Sequence, residues 1–464
     1  MKVVGFVALA LVLLFVHACS RVPQPSQPTS LSRPCLVAAA ANAGDGEEIA
    51  KLQRDLREQR TPARAAEQLG YRFISRARVS NDAGFYKVAE QAAACLESID
   101  PNDAAALLLR GHVLHQMHRF SEAEAIARRL VAMREFVLDY GLLGDVLMEQ
   151  GRLTDAAAAY QKMIDLKPFY QSYTRAAHLR WLKGDLAGAI ALMEKAVKVA
   201  SPRDPESIAW AYTRLASYEL QRGWLSDADR MIASALLYVP NYAAALLVRG
   251  RIQLAGDKRV DAVATLETAA RLNPLPEYRW ALADALRQVN RVDDATAVEA
   301  QLVHEGADDP RTLALFLSTR RVDQEKAVDL ARQELKNRGD VFTLDALAWS
   351  LARAGKAGEA SALMTRALAE GTEDGRLFLH AAVIAAADGR PADAARWARK
   401  ARTFRFTLLP SELGVLRAGI VTSPRAWPVR CSRGSSTHSR YRRRPPVSRS
   451  MAISIGSCKC SRIS

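Results

Sequence analysis

The chain counts in steps of about 33 residues. Segments such as GRLTDA, GDLAGA, GWLSDA, NRVDDA and GRPADA recur along it, each ending in alanine. Ala89, Ala123, Ala156, Ala189, Ala228, Ala262, Ala295, Ala327, Ala360 and Ala394 stand 34, 33, 33, 39, 34, 33, 32, 33 and 34 residues apart. A repeat of that length holds two short helices and a turn, and cannot bury an apolar face by itself. Neighbouring units must therefore stack into one elongated core.

The clearest unit is YGLLGDVLMEQGRLTDAAAAYQKMIDLKP, residues 140–168. Leu143, Val146 and Leu147 fall at helical spacing. Gly151 provides a helix-ending conformation, Thr154 and Asp155 supply polar groups where a second helix starts, and Pro168 stops that helix. Small residues recur where helix axes must cross closely: Gly144, Ala156 and Ala159 here, Gly250, Ala262 and Ala269 further on. This pattern of small residue, glycine turn, alanine and closing proline resembles the tetratricopeptide repeat over about residues 70–405. The resemblance implies an all-α, right-handed α-solenoid of about ten helix hairpins, with the array spanning 47–405. Two departures are visible. The first helix around Leu315 looks short, and ASPRDPES lengthens the 39-residue interval.

In this family the first helix of each hairpin lines a concave surface. The resemblance places Arg78, His112, His115, Asp145, Met148, His178, Trp181, Trp210, Arg214 and Ser217 there. Arg251, Trp280, Asp284, Arg287, Trp349, Arg353, Leu379 and Val383 follow on later hairpins. Tryptophan and arginine suit a surface that binds a protein or peptide partner; the competing reading is that the tryptophans pack between helices. The family's carboxylate clamp uses Lys and Asn at positions that hold Leu108, Gly141, Thr174 and Thr213 here, so that clamp is absent.

GHVLHQMHR brings His112, His115 and His118 within seven residues. His118 lies about 120° around a helix axis from His112, and no cysteine is near, so groove and turn roles are expected rather than a metal site. No phosphate loop, GxSxG or HExxH appears, and neither a catalytic set nor a cofactor is expected. Asp155, Asp227, Asp261 and Asp294 recur beside the anchor alanines as helix-start residues.

The first residues, MKVVGFVALALVLLFVHACS, carry one lysine and an apolar run from Val3 to Val16. As a helix that run measures about 21 Å, short of a ~30 Å hydrocarbon core, so a signal peptide over 1–18 fits better than a membrane span. Val16–Cys19 resembles the bacterial lipobox, although His17 departs from its usual small residue. The resemblance implies lipidation at Cys19, a Pro- and Ser-rich tether to residue 46, and a lipid-anchored protein facing the periplasm, with ordinary secretion to the periplasm as the alternative. Cys35 falls in the tether, Cys95 stands alone in a helical pattern, and Cys431, Cys458 and Cys460 lie in the tail; little structural work is expected of them.

The net charge of +15 is unevenly spread. No acidic residue follows Glu412, while eleven Lys and Arg do, and without them 54 basic residues face 50 acidic ones. The body of the chain therefore has no field that would steer it to nucleic acid. Residues 406–422 read as a capping helix. The 423–464 tail is either a basic segment for nucleic acid or anionic headgroups, or the product of a shifted reading frame. The expected function is a non-catalytic protein- or peptide-binding scaffold of the cell envelope. An accessory factor for an outer-membrane or secretion complex is the alternative, and an enzyme or a tail-mediated nucleic-acid binder ranks behind both.

Overall fold

The computed structural model describes residues 31–41, 46–80 and 82–421. The signal segment, Cys19 and the 423–464 tail lie outside the described residues. The described chain is a right-handed α-solenoid, with no strand among those residues. Consecutive helices pair as hairpins, from Pro62–Ser80 with Gly84–Ile99 through to Gly375–Ala387 with Pro391–Thr403. No described helix is long and apolar enough to cross a membrane.

The anchor alanines hold the stack together. Those from Ala89 to Ala360 have no exposed surface, whereas Ala394 in the last hairpin is half-buried because no later hairpin follows it. The glycines before them permit equally close approach: a Cβ on Gly144 would lie 2.3 Å from the Tyr160 ring, and one on Gly250 2.4 Å from Leu266. At most of the tight turns a residue adopts the left-handed conformation. It is Gly151, Gly184, Gly223, Gly355 or Gly389 in some hairpins, and His118 (φ 58°), Asp257, Asn290 or Arg321 in others. His118 is thus a turn residue. The helix Pro310–Arg320 has 11 residues against the usual 13, and the ASPRDPES insertion extends the helix Pro205–Gln221 to 17.

The start of the chain departs from expectation. Residues 33–40 are not tether but helix (Arg33–Ala40), with Cys35, Ala38 and Ala39 buried against Ala92, Cys95 and Leu96. Cys35 and Cys95 form a disulfide that closes a 60-residue separation. The cysteines therefore do structural work that their isolation in sequence concealed. An eight-residue helix within a Pro/Ser-rich stretch leaves almost no periodic signal, and a disulfide between distant residues leaves none.

The solenoid coils far enough to touch itself. Three successive turns, at Gly151, Gly184 and Gly223, meet the loops that precede much later helices. The Gly339 N–H donates to the Glu149 carbonyl (3.1 Å), and the Thr372 hydroxyl donates to the Leu182 carbonyl across 190 residues of sequence. Lys183 pairs with Glu370 (2.6 Å), Gln221 donates to the Glu373 carbonyl, and Gly223 sits against Phe406. The last helix, Pro410–Val421, does more than cap. Leu416 packs on the final hairpin, Glu412 pairs with Arg376 on its first helix, and Ser411 reaches inward to Asp284 on the helix Pro276–Gln288.

Candidate functional site

That inward turn divides the expected groove residues into two sets. On the C-terminal side the concave face is filled by the chain itself. Trp280 is 1% exposed and its indole N–H donates to the Ser411 hydroxyl (3.2 Å). Asp284, also buried, accepts from the Ser411 N–H (2.8 Å) and hydroxyl (2.7 Å) and pairs with Arg320 (2.6 Å). Trp349 is fully buried, donates to the Thr319 hydroxyl (3.1 Å) and stacks on His380. Arg353 lies over the Trp349 ring and donates to the Ser318 carbonyl, and Arg287 is held by Glu299 (2.7 Å). Placing Trp280, Asp284 and Trp349 on a free partner surface is thus corrected, because they are buried and bonded to the chain itself, whereas Arg287 and Arg353 stay half-buried. Leu379 is likewise buried.

On the N-terminal side the expected residues pair with one another and with their neighbours, and some of them line a cavity. Arg78 reaches Glu206 on the extended helix (3.2 Å). Asp145 is gripped by Arg175 through two hydrogen bonds (2.6 and 2.8 Å) and by the Tyr160 hydroxyl (2.8 Å). Burial opposes the Asp145 charge, but Arg175 outweighs it and holds the carboxyl below its usual range. His112 lies edge-on to Tyr71, His115 packs against Phe120, and His178 stacks on Trp181. No group of three His, Cys, Asp or Glu among the described residues is placed to share a metal ion.

Burial, and then neighbouring arginines, push the imidazoles of His112 and His178 down to about 3. Both are neutral in the fold, whereas an unfolded histidine titrates near 6.5. Between those values the unfolded chain binds more protons, so stability rises with pH and falls as the solution is acidified below about 6.5. The slope is at most about 1.4 kcal/mol per pH unit per histidine. Urea unfolding at pH 7 and pH 5 should show this loss, and a His112→Gln/His178→Gln variant should show less of it. An unchanged loss would contradict the assignment.

A cavity of about 370 Å³ opens where the helix Pro205–Gln221 faces the next superhelical turn. Trp210, Arg214, Tyr218 and Gln221 recur at spacings of four and three along that helix and share one face. Trp181 closes one side, its indole N–H donating to Gln221 (2.7 Å) and its ring stacked on Phe342. The far wall brings Arg251, paired with Glu277 (3.1 Å), and Arg376, whose partner is Glu412. Trp181, Trp210, Arg214, Ser217 and Arg251 all line this cavity. Tyr218, Gln221, Phe342 and Arg376 were not foreseen. The first two were legible from the helical period, but the last two come from a turn of the superhelix that no local pattern reveals.

Residues 108–171, 142–205 and 255–310 match the sequence signature described as tetratricopeptide repeat. Over those residues the chain carries tetratricopeptide repeats, a repeat typical of scaffolds for protein–protein interaction. Among curated proteins none matches. Similar solved structures include a human IFIT1 dimer with PPP-AAAA, 13% identical, covering 80% of this chain and 93% of that one with a TM-score of 0.43. Yeast Tom70 is 14% identical over 80% and 95%, with a TM-score of 0.35. A tetratricopeptide repeat protein from Parabacteroides merdae is 17% identical over 54% and 98%, with a TM-score of 0.31.

Proposed function

We propose that this chain is a non-catalytic scaffold of the bacterial cell envelope, exported, lipid-anchored at Cys19, and holding a protein or peptide partner in the unfilled part of its interior. The observation that carries the reading is the cavity between Trp181, Trp210 and Arg214. It is an aromatic-walled interior space that the chain's own C-terminal helix leaves open while filling the neighbouring one. The Cys35–Cys95 disulfide supports export, because such bonds persist in oxidising compartments. The lipobox-like Val16–Cys19 supports the anchor.

Two experiments test the parts separately. A photo-crosslinking residue at Trp210 should yield adducts in intact cells, and the same residue at the fully solvated Leu237 should not; equal labelling at both would refute an interior partner site. Cys19→Ser should move the protein from the detergent phase to the aqueous phase, and an unchanged partition would remove the anchor.

A further inference from the structure

The charges around the cavity are balanced except at one point. Arg251 has Glu277 and the Thr407 carbonyl, and Arg376 has Glu412. Asp374 is spent on capping its own helix, accepting from the Leu377 N–H (2.9 Å), and burial raises its pKa, which weakens its charge. Arg214 has no carboxylate partner among the described residues; its guanidinium lies between the rings of Trp210 (5.8 Å) and Trp181 (5.9 Å). One helical turn further along the same face is Tyr218, 1% exposed, whose hydroxyl has no hydrogen-bond partner among the described residues. Burial pushes that phenol up to about 12, so it keeps its proton and can donate.

A buried hydroxyl without a partner is costly, and an unpaired cation beside it adds to the demand for an acceptor. Both donors line one cavity, and both would be satisfied by a single anionic oxygen pair. Trp181, Trp210 and Phe342 meanwhile offer flat apolar walls next to those donors. A volume of about 370 Å³ suits one or two amino-acid side chains rather than a folded element.

We propose that the cavity anchors the partner by an acidic residue with an apolar or aromatic neighbour. The carboxylate accepts from Arg214 and Tyr218, and the neighbouring side chain lies against Trp181 and Trp210. This rests on the scaffold reading above and names the chemistry of its partner. It differs from the family's carboxylate clamp in using a guanidinium held on indoles in place of the absent Lys and Asn positions.

The test is calorimetric titration of the full folded chain with Ac-Gly-Asp-Phe-Gly-NH2 and its neutral isostere Ac-Gly-Asn-Phe-Gly-NH2, with tryptophan fluorescence as a second readout. The aspartate peptide should bind at least tenfold tighter. Arg214→Gln should erase that preference, Arg214→Lys should keep most of it, and Tyr218→Phe should reduce affinity several-fold, all with unchanged circular dichroism. Equal binding of the two peptides, or a preference that survives Arg214→Gln, overturns the proposal. N-acetylphenylalanine binding as tightly as the aspartate peptide would assign the cavity to a free acid instead and overturn it too. If neither peptide binds while Trp210 still crosslinks in cells, the pocket chemistry is wrong and the scaffold stands; if neither binds and Trp210 gives no adduct, both fall.

Discussion

Gly151→Ala is expected to destabilise the protein by about 3 kcal/mol and to open the superhelix, while Gly355→Ala costs only about 1 kcal/mol and leaves its shape unchanged. Both glycines occupy the same turn position with left-handed φ (78° and 82°), so both substitutions strain the backbone by about 1–2 kcal/mol. They differ in what a Cβ would meet. At Gly355 there is nothing within 4 Å, whereas at Gly151 the new carbon would lie 2.2 Å from the Gly339 carbonyl oxygen. That clash adds the roughly 1–3 kcal/mol of an overpacked contact and pushes apart two superhelical turns. Urea unfolding and the radius of gyration by small-angle scattering check both effects. Equal losses at the two positions, with no expansion for Gly151→Ala, would mean that the turns do not touch.

Reduction of Cys35–Cys95 is the second large effect. Closing a loop of this length restricts the unfolded chain by about 4 kcal/mol in the chain-entropy treatment, within the usual range of 2–5 kcal/mol for loss of a native disulfide. In a stack where each hairpin contacts chiefly its neighbours, the loss stays near the bond. Hydrogen exchange across residues 46–80 and 82–99 should therefore accelerate more than a hundredfold on reduction, corresponding to about 3 kcal/mol. The amides of 243–409, within a separate core cluster, should be unaffected. Uniform acceleration, or none, would contradict a local staple.

These two cases mark where sequence stops being informative. The hairpin unit is local. Gly144, Ala156 and Gly151 each report their role within about thirty residues, and the structure puts each in that role. The inner-face assignment is also local, as far as it concerns which side of a helix faces in. Whether an inward side chain meets solvent, a partner or the chain's own later segments depends on superhelical pitch. Small angles summed over many hairpins set that pitch, and no residue encodes it. Trp210 and Trp280 therefore look equivalent in sequence, yet one borders an open cavity and the other hydrogen-bonds to Ser411. The Arg33–Ala40 helix and its disulfide escaped for a related reason, since the disulfide partner lies in the first hairpin and not in the surrounding composition.

Self-contact of the coil is what brings Phe342 and Arg376 to the cavity beside Trp210, and a zero-length crosslink tests it most directly. Carbodiimide should join Lys183 to Glu370, whose charged atoms lie 2.6 Å apart across the two turns, as seen in the mass spectrum of a digest. The Lys400–Glu373 pair, at 3.9 Å within the last hairpin, reports reactivity independently of the closure. Recovery of both crosslinks is the predicted result. Recovery of 373–400 without 183–370 would show an open coil and contradict the closed interior on which the partner site depends.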